Sequence, residues 1–417
     1  MPMPDLIEQL DVVYSKGWRG PALEVVGALS PEEARARDES GDPYTVLLLS
    51  EGRLSLVVEV AWKRHSCVVW HIDGEGRRDG RRELRLLEDG RLFLLEQRVW
   101  EYADEEQPEL DSHASRRTLR YEPDGSFRDS LAERGDHGGS FQMIKHVDAA
   151  RLREKRPEFG AWVPLVAPMG SVAPDARLIV RDDLLDTLTA STADEPSWSP
   201  PQPLDPLPYL EAMLRAGSRF HFGANALGDA VVELVPAPDL VLTSGRLVAH
   251  DPTWIEGQPA FDIDVPVGTF PVTQSIVRWV DDPQHTRVAA ARVTFKDVEP
   301  VSWEPALRPG QDIRLLGDKE FFGFGVDAGL GCFVDAEGVA AATEAIGSDF
   351  EMFMGVDAEH PMKLDLDGGR TMVIFSSGWG DGSYPCWIGR SAEGDVVCLI
   401  ADLLVVIDAT LTEHQPR

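Results

Sequence analysis

The residues best suited to do chemistry lie in one glycine-rich stretch near the end of the chain, residues 376–385 (SSGWGDGSYP). Three glycines at alternate positions surround Trp379 and Asp381, and Tyr384 follows. Glycine permits positive φ angles and close backbone approach, so the stretch indicates either a site or a demanding turn. As a site, its three large side chains would line a pocket. As a turn, it would be a bulged β-hairpin in which Trp379 caps the core and Asp381 bonds the loop's own amides.

Established catalytic motifs do not fit this stretch. The dinucleotide fingerprint GxGxxG would need glycine at position 383, where the chain has Ser383. A phosphate-binding loop would need a Gly-Lys-Ser/Thr ending, and Asp381 would repel a phosphate. A serine-hydrolase elbow would need glycine two residues before Ser376, where Ile374 stands. The ten histidines and four cysteines show no metal-ligand spacing, so we expect neither a metal site nor a cofactor.

Carboxylates are too abundant for the sequence to single out one acid–base pair. General acid–base chemistry needs two acids whose environments separate their pKa values. Asp251 and Asp327 are retained as candidates for a second acid beside the 376–385 stretch. The pair His250-Asp251 by itself indicates a turn before Pro252. Five aspartates stand beside predicted turns or strand ends, where both active-site acids and surface acids occur: Asp251, Asp327, Asp335, Asp381 and Asp402.

The charge of the chain restricts its partners. Of the 417 residues, 71 are acidic and 40 are basic, which gives a formal net charge of −31. Such a surface repels nucleic acid and anionic membranes and attracts a basic protein. The first residues lack the basic-then-apolar pattern of a secretion signal, and the scattered cysteines are typical of a reducing compartment. We therefore expect a cytoplasmic protein that binds neither nucleic acid nor membrane; the oligomeric state is left open.

The chain is predicted to be α+β and predominantly β, with two domains of mostly antiparallel sheet and a few short helices. Short runs rich in Val and Leu alternate with Asp-Gly turns in both halves, as in antiparallel meanders. Residues 190–208 contain so many prolines that no regular element can persist there. We therefore expect an N-terminal β-rich domain over 1–189, a linker over 190–208 and a C-terminal β-rich domain over 209–417.

Five helices and one charged surface can be predicted locally. Residues 5–14 and 148–156 show helical patterns, and residues 335–346 form a third candidate helix. Ser30 begins a capping-box motif for a fourth, and residues 209–216 form a fifth that ends at Gly217. Arginines are dense between residues 77 and 98 and are interleaved with acids. This pattern favours a mixed-charge solvent face of two strands over an anion-binding stripe.

Several blocks of the second half occur together in one family. They are residues 245–252 (GRLVAHDP), 265–272 (VPVGTFPV), 301–306 (VSWEPA), 322–335 (FGFGVDAGLGCFVD) and the 376–385 stretch, followed by Asp402. In this order they resemble the DUF4241 family of uncharacterised bacterial proteins over residues 230–408, with Phe270 where the pattern leads us to expect tyrosine. The resemblance implies no established activity. It implies an association with bacterial toxin–immunity neighbourhoods.

Two functions from different classes remain open. The charge, the missing catalytic motifs and the resemblance favour a non-enzymatic acidic binding protein, such as an immunity-type inhibitor of a basic bacterial toxin. The alternative is an enzyme, or a small-ligand or metal-binding protein, whose pocket is built on the 376–385 stretch. Trp379, Asp381 and Tyr384 would line that pocket, and Asp251 or Asp327 would add an acid.

Overall fold

The computed structural model describes residues 6–19, 24–133, 139–181, 184, 198–223, 227–347 and 350–413. The chain divides into a first unit, Met1–Gln202 with Arg314–Gly317, and a second unit, Pro203–Ile313 with Asp318–Arg417. Part of the predicted linker, residues 190–197, lies outside the described residues. Residues 198–206 form neither helix nor strand. The regular structure of the described chain is predominantly antiparallel sheet with a few short helices, which confirms the predicted fold class.

The first unit is built on one 12-stranded sheet. Its helices are α1 (Pro31–Ser40) and α2 (Val163–Val166), with 3-10 turns at Trp62–Arg64, Ala149–Leu152 and Ala167–Met169. Its strands are β1 (Ile7–Arg19), β2 (Glu24–Leu29), β3 (Tyr44–Ser50), β4 (Arg53–Ala61), β5 (Ser66–Ile72), β6 (Arg78–Leu86), β7 (Arg91–Glu101), β8 (Ser115–Tyr121), β9 (Ser126–Ala132), β10 (Ser140–His146), β11 (Arg153–Lys155) and β12 (Val172–Val180).

The strands of this sheet follow the chain almost in order. The spatial order is β10-β9-β8-β7-β6-β5-β4-β3-β1-β12, with β2 beside β1 and β11 beside β7. Among the described strands of this sheet, only the β1–β12 pair is parallel. Both faces are apolar at the centre: Val46 and Leu48 belong to one buried cluster, whereas Leu47 and Leu49 belong to another. Near-continuous apolar runs in β3 and β4 follow from this two-sided burial.

The second unit contains a nine-stranded and a four-stranded sheet. Its helices are α3 (Leu207–Met213) and α4 (Val339–Ile346), with 3-10 turns at Pro252–Trp254, Ala336–Gly338, Phe350–Phe353 and Asp367–Gly369. Its strands are β13 (Arg219–Phe222), β14 (Gly228–Leu242), β15 (Leu247–His250), β16 (Gly268–Trp279), β17 (Thr286–Thr294), β18 (Ser302–Pro305), β19 (Gly323–Val326), β20 (Leu330–Asp335), β21 (Met362–Asp365), β22 (Thr371–Ser376), β23 (Gly382–Arg390), β24 (Val396–Asp402) and β25 (Thr410–Glu413). A further 3-10 turn, Ile313–Leu315, starts at a residue of the second unit and ends in the first.

These two sheets pack face to face between two helices. The larger sheet has the order β18-β23-β24-β17-β16-β14-β13-β25, with β19 beside β23, and the smaller has the order β15-β20-β22-β21. Phe333 and Phe375 of the smaller sheet join the cluster that both sheets share, whereas Cys332 and Ile374 face the cluster that contains α4. Helix α3 covers the outer face of the larger sheet. The period-two alternation in the smaller sheet therefore separates two cores.

The helix predictions have mixed outcomes. The capping box at Ser30 is confirmed, because its Oγ accepts from Glu33 N and the Glu33 carboxylate accepts from Ser30 N. The helix predicted over 335–346 exists as α4 behind a 3-10 turn. The helix predicted over 5–14 is wrong: residues 7–14 belong to β1, which pairs with β2, β3 and β12. The helix predicted over 148–156 is also wrong, because only one 3-10 turn precedes β11.

The arginine-dense segment is neither a bare anion-binding stripe nor a fully solvated face. Arg81 pairs with Glu83 and Glu96, and Arg85, which is fully buried, also pairs with Glu83. Ion pairs of this kind balance the arginine charge within the sheet itself. The acids interleaved with the arginines in the sequence were the signal for this pairing, but the sequence did not reveal its burial.

Within the described residues, no helix is both long enough and apolar enough to cross a membrane.

Candidate functional site

The 376–385 stretch connects the two sheets of the second unit. Strand β22 belongs to the four-stranded sheet and β23 to the nine-stranded sheet, and the two do not pair with each other. The stretch is therefore a crossover between layers rather than the hairpin turn considered from the sequence. Gly378 has φ +65°, and a Cβ on it would lie 2.8 Å from Val405 Cγ2 and 3.0 Å from the Val288 carbonyl. Only glycine fits this close approach without displacing its neighbours.

The crossover is held by hydrogen bonds around one carbonyl. The Gly380 carbonyl accepts from Ser377 Oγ at 2.8 Å and from the Tyr384 hydroxyl at 2.7 Å. The Ser377 amide donates to the Gly329 carbonyl at 3.0 Å. Tyr384 is buried and its ring packs 6.1 Å from Phe324. Tyr384 thus supports the loop from inside the core.

Asp251 is fully buried and ties two turns together. Its Oδ1 accepts from the amide and the hydroxyl of Thr253, at 2.8 and 2.7 Å. Its Oδ2 accepts from the amides of Asp327 and Ala328, both at 2.8 Å. These four donors occupy the main acceptor positions of the carboxylate. Asp251 is therefore a buried N-cap of the 3-10 turn after β15.

Asp327 and Asp381 lie at the surface above that cap. Both side chains are exposed, and Asp381 Oδ1 accepts from the Gly329 amide at 3.2 Å. Asp381 therefore bonds a neighbouring turn and not its own loop. The structure brings Asp251, Asp327 and Asp381 together through the segment 327–329, but only the last two present carboxylates to solvent.

The two remaining turn acids are also fully buried. Asp335 accepts from the amides of Thr243 and Ser244, at 2.6 and 2.8 Å. Asp402 Oδ2 accepts from the Tyr209 hydroxyl at 2.8 Å and from Trp387 Nε1 at 3.2 Å. Burial raises the pKa of Asp402 to about 6. These carboxylates fix loops and helix α3 in place.

Trp379 belongs to an aromatic cluster on a different side of the crossover. Its ring lies 6.0 Å from Trp279 and 6.3 Å from His285, and those two rings stack at 4.1 Å. The guanidinium carbon of Arg287 lies 5.2 Å from the centre of the Trp379 ring. Trp379 nevertheless remains 45% exposed. Its ring is therefore available to a further group from solution.

A cleft of about 170 Å³ opens beside Trp379. Its lining is mostly apolar, and Asp408 contributes its one carboxylate. The other lining residues are Phe222, Leu404, Val405, Ile407 and Ala409. An indole face, an apolar lining and a carboxylate match the needs of an alkylated cation, because the ring quadrupole and the acid both attract positive charge.

Exposed acids surround the aromatic cluster. Asp281 and Asp282 lie in the turn between Trp279 and His285, and the His285 amide donates to the Asp282 carbonyl. Asp229 lies beside this turn, since its carbonyl accepts from the amide of Val280. We call the following exposed residues the acidic rim: Asp229, Asp281, Asp282 and Asp408.

The sequence did not identify the partners of Trp379. Trp279 ends β16, His285 lies in the following turn and Arg287 belongs to β17. Asp408 lies beyond β24. No spacing connects these residues to the 376–385 stretch, so only the fold brings them together. Beside Asp251, burial and the Arg308 guanidinium lower the pKa of His250, which favours its neutral form at pH 7.

Among the described residues, no group of three or more His, Cys, Asp or Glu side chains could hold a metal ion.

The fold and the site define a layered β-sheet protein with a glycine-dependent crossover loop and an aromatic cleft. Residues 240–401 match the family model DUF4241, described as a protein of unknown function, which confirms the resemblance seen in the second half. No curated protein matches the chain. No solved structure matches it either.

Proposed function

We propose that the protein is a non-enzymatic binding protein that captures a basic protein partner in the cytoplasm. In the form suggested by the family resemblance, that partner is a bacterial toxin and the protein is its immunity-type inhibitor. The observation that carries the proposal is the Trp379 cleft, whose lining combines mostly apolar residues with the exposed Trp379 indole and Asp408. A lysine or arginine side chain of the partner would enter this cleft.

The positions of the carboxylates support binding over catalysis. Asp251, Asp335 and Asp402 are fully buried and hydrogen-bonded within the fold. General acid–base chemistry needs acids that reach a substrate. Some of the accessible acids form the acidic rim around the cleft, where they would attract a basic surface and speed its association.

The geometry around Trp379 favours a cation as the bound group. Arg287 already lies over the indole ring at 5.2 Å, so the ring is presented in a geometry that a cation can use. A second cation in the cleft would meet Asp408 and the aromatic ring of Phe222. Contacts of this type contribute about 0.5–2 kcal/mol, depending on how far the cation is desolvated.

The proposal is tested by titrating the protein with an oligolysine peptide at low salt. Trp379→Ala should weaken binding by about five- to tenfold through loss of the cation–π contact. Trp254→Ala is the matched control, because Trp254 is 61% exposed in the same unit but does not line the cleft. Equal affinities of these two variants would refute a role for the cleft, and an oligoglutamate peptide should not bind.

A small cationic ligand is the second candidate, because a 170 Å³ cleft has room for one alkylammonium group. Tetramethylammonium would then raise the melting temperature of the wild type but not that of Trp379→Ala. Under the proposal of a protein partner, the isolated ion produces no measurable shift, whereas the peptide does.

A further inference from the structure

The sheet of the first unit ends on β10 at one side and on β12 at the other. Strand β10 pairs only with β9 among the described strands. Its outer edge is seven residues long and has no strand partner within the described part of the chain, which makes it a template for another strand. By contrast, the edge strands of the two sheets in the second unit, β15, β18, β21 and β25, are four residues long.

Strand β10 also lacks the usual protection of an edge. It contains no proline, and its register with β9 runs without a bulge from Ser140 to His146. Three of its apolar side chains are exposed: Phe141 by 55%, Met143 by 39% and Ile144 by 74%. An exposed, regular and apolar edge normally indicates a strand-pairing surface.

The one permanent charge of β10 is engaged with the neighbouring strand. Lys145 Nζ lies 2.6 Å from Asp129 Oδ2, and that carboxylate also pairs with Arg117. The two cations strongly lower the pKa of Asp129, so the pairing persists at neutral pH. Because Asp129 belongs to β9, the Lys145 ammonium group is held over β9 and not over the outer edge of β10.

We propose that the protein forms a two-fold symmetric dimer in which β10 pairs antiparallel with β10 of a second copy. The two-fold axis passes between Met143 of each copy, which gives the seven residues full overlap. In this register Phe141 stands opposite Lys145 of the second copy, and Gln142 stands opposite its Ile144. No two lysines meet, and each aromatic ring covers a lysine stem and its ammonium group.

The same register joins two grooves. Phe141, Met143 and Lys145 face one side of the sheet and line a groove of about 560 Å³ together with Val99 and Leu131. Antiparallel pairing about this axis places the grooves of both copies on the same side. The apolar rows of both copies then form one continuous surface across the axis.

The strength of this dimer follows from its size and charge. One pair of seven-residue strands buries less area than a standard interface of roughly 1,600 Å², so we expect dissociation in the micromolar range. Because each copy carries a net charge of −31, salt should strengthen the dimer by screening the repulsion. Binding of a basic partner depends on salt in the opposite direction.

Cross-linking of the full chain tests the register. In Met143→Cys, the two introduced thiols face each other at a Cα distance of about 4.5–5.5 Å, which suits a disulfide. Oxidised glutathione removes two electrons and two protons from the thiol pair and is itself reduced to two glutathione molecules. Phe141→Cys is the matched control, because its two copies would lie about 13 Å apart along the strands. The natural cysteines, Cys67, Cys332, Cys386 and Cys398, are all buried and should react little.

We expect at least tenfold more cross-linked dimer for Met143→Cys than for Phe141→Cys. In sedimentation, the mass of the wild type should double as its concentration rises to about 0.1 mM. Met143→Lys places two cations opposite each other across the axis, so this variant should remain a monomer. A melting temperature equal to that of the wild type would show that the variant is folded. A wild-type mass that stays monomeric, or equal cross-linking by the two cysteine variants, overturns the proposal.

Discussion

At the scale of single residues, three of the candidate carboxylates are buried and hydrogen-bonded within the fold. A carboxylate that accepts several internal hydrogen bonds has little capacity left for a substrate. Asp251, Asp335 and Asp402 fit this description, whereas Asp327 and Asp381 remain exposed. Stability measurements on single variants can therefore separate the two groups.

Asp402 gives the protein a specific pH dependence. Burial raises its pKa from 3.8 to about 6, so the folded state binds this proton more tightly than the unfolded state does. The resulting stabilisation is complete below pH 3.8 and is lost as the pH rises through 6. Relative to Asp402→Asn, the wild type should lose about 2 kcal/mol of unfolding free energy between about pH 4 and pH 7. Urea unfolding of both proteins across this range provides the measurement, and parallel pH curves would contradict the assignment.

Gly378 is the residue on which the crossover depends. In Gly378→Ala, the added methyl group meets the Val405 side chain and the Val288 carbonyl, so we expect a loss of about 2–4 kcal/mol in unfolding free energy. Gly380→Ala is the control, since Gly380 also has positive φ but no atom within 4 Å of the new Cβ. If chemical denaturation shows the same loss for both variants, the close approach at Gly378 is not what requires glycine.

At the scale of elements, the buried Asp251 joins the turn after β15 to the turn between β19 and β20. Asp251→Asn replaces one acceptor oxygen by an NH₂ group that faces amide donors, and we expect a loss of about 2–4 kcal/mol. Asp327→Asn, at an exposed side chain in the same cluster, should change stability by less than about 0.5 kcal/mol. Urea unfolding distinguishes the two. If Asp251→Asn is as stable as the wild type, the hydrogen bonds of this carboxylate are not needed for folding. Asp251 would then again be a candidate for a functional acid.

Local sequence patterns predicted the strands and helices more accurately than the residues of the candidate site. Alternating apolar residues and Asp-Gly turns indicated β3–β5, and the Ser30 capping box indicated α1. The helix prediction for residues 5–14 failed because the polar side chains there follow a helical period. In the folded chain, pairing with β2, β3 and β12 makes the described part of this segment a strand. The partners of Trp379 could not be predicted, because they lie far apart in the sequence and meet only through sheet packing.

At the scale of the whole molecule, the second unit contains its own core. Its three buried clusters draw all their residues from 209–406, whereas the main cluster of the first unit also includes Leu315. We therefore expect a fragment 203–417 to fold alone and a fragment 1–202 to be less stable than the first unit in the full chain. Cooperative melting of each fragment, followed by circular dichroism, checks this. A fragment 203–417 without a cooperative transition would contradict it.

The central claim is that the Trp379 cleft, and not diffuse negative charge, receives a basic partner. The most direct test compares Asp408→Lys, inside the cleft, with Asp297→Lys, an exposed acid outside the cleft and the acidic rim. Both variants change the net charge equally. We predict that Asp408→Lys weakens oligolysine binding by about tenfold or more, while Asp297→Lys stays within about twofold of the wild type. Equal weakening by the two variants, measured by calorimetric titration, would contradict the account.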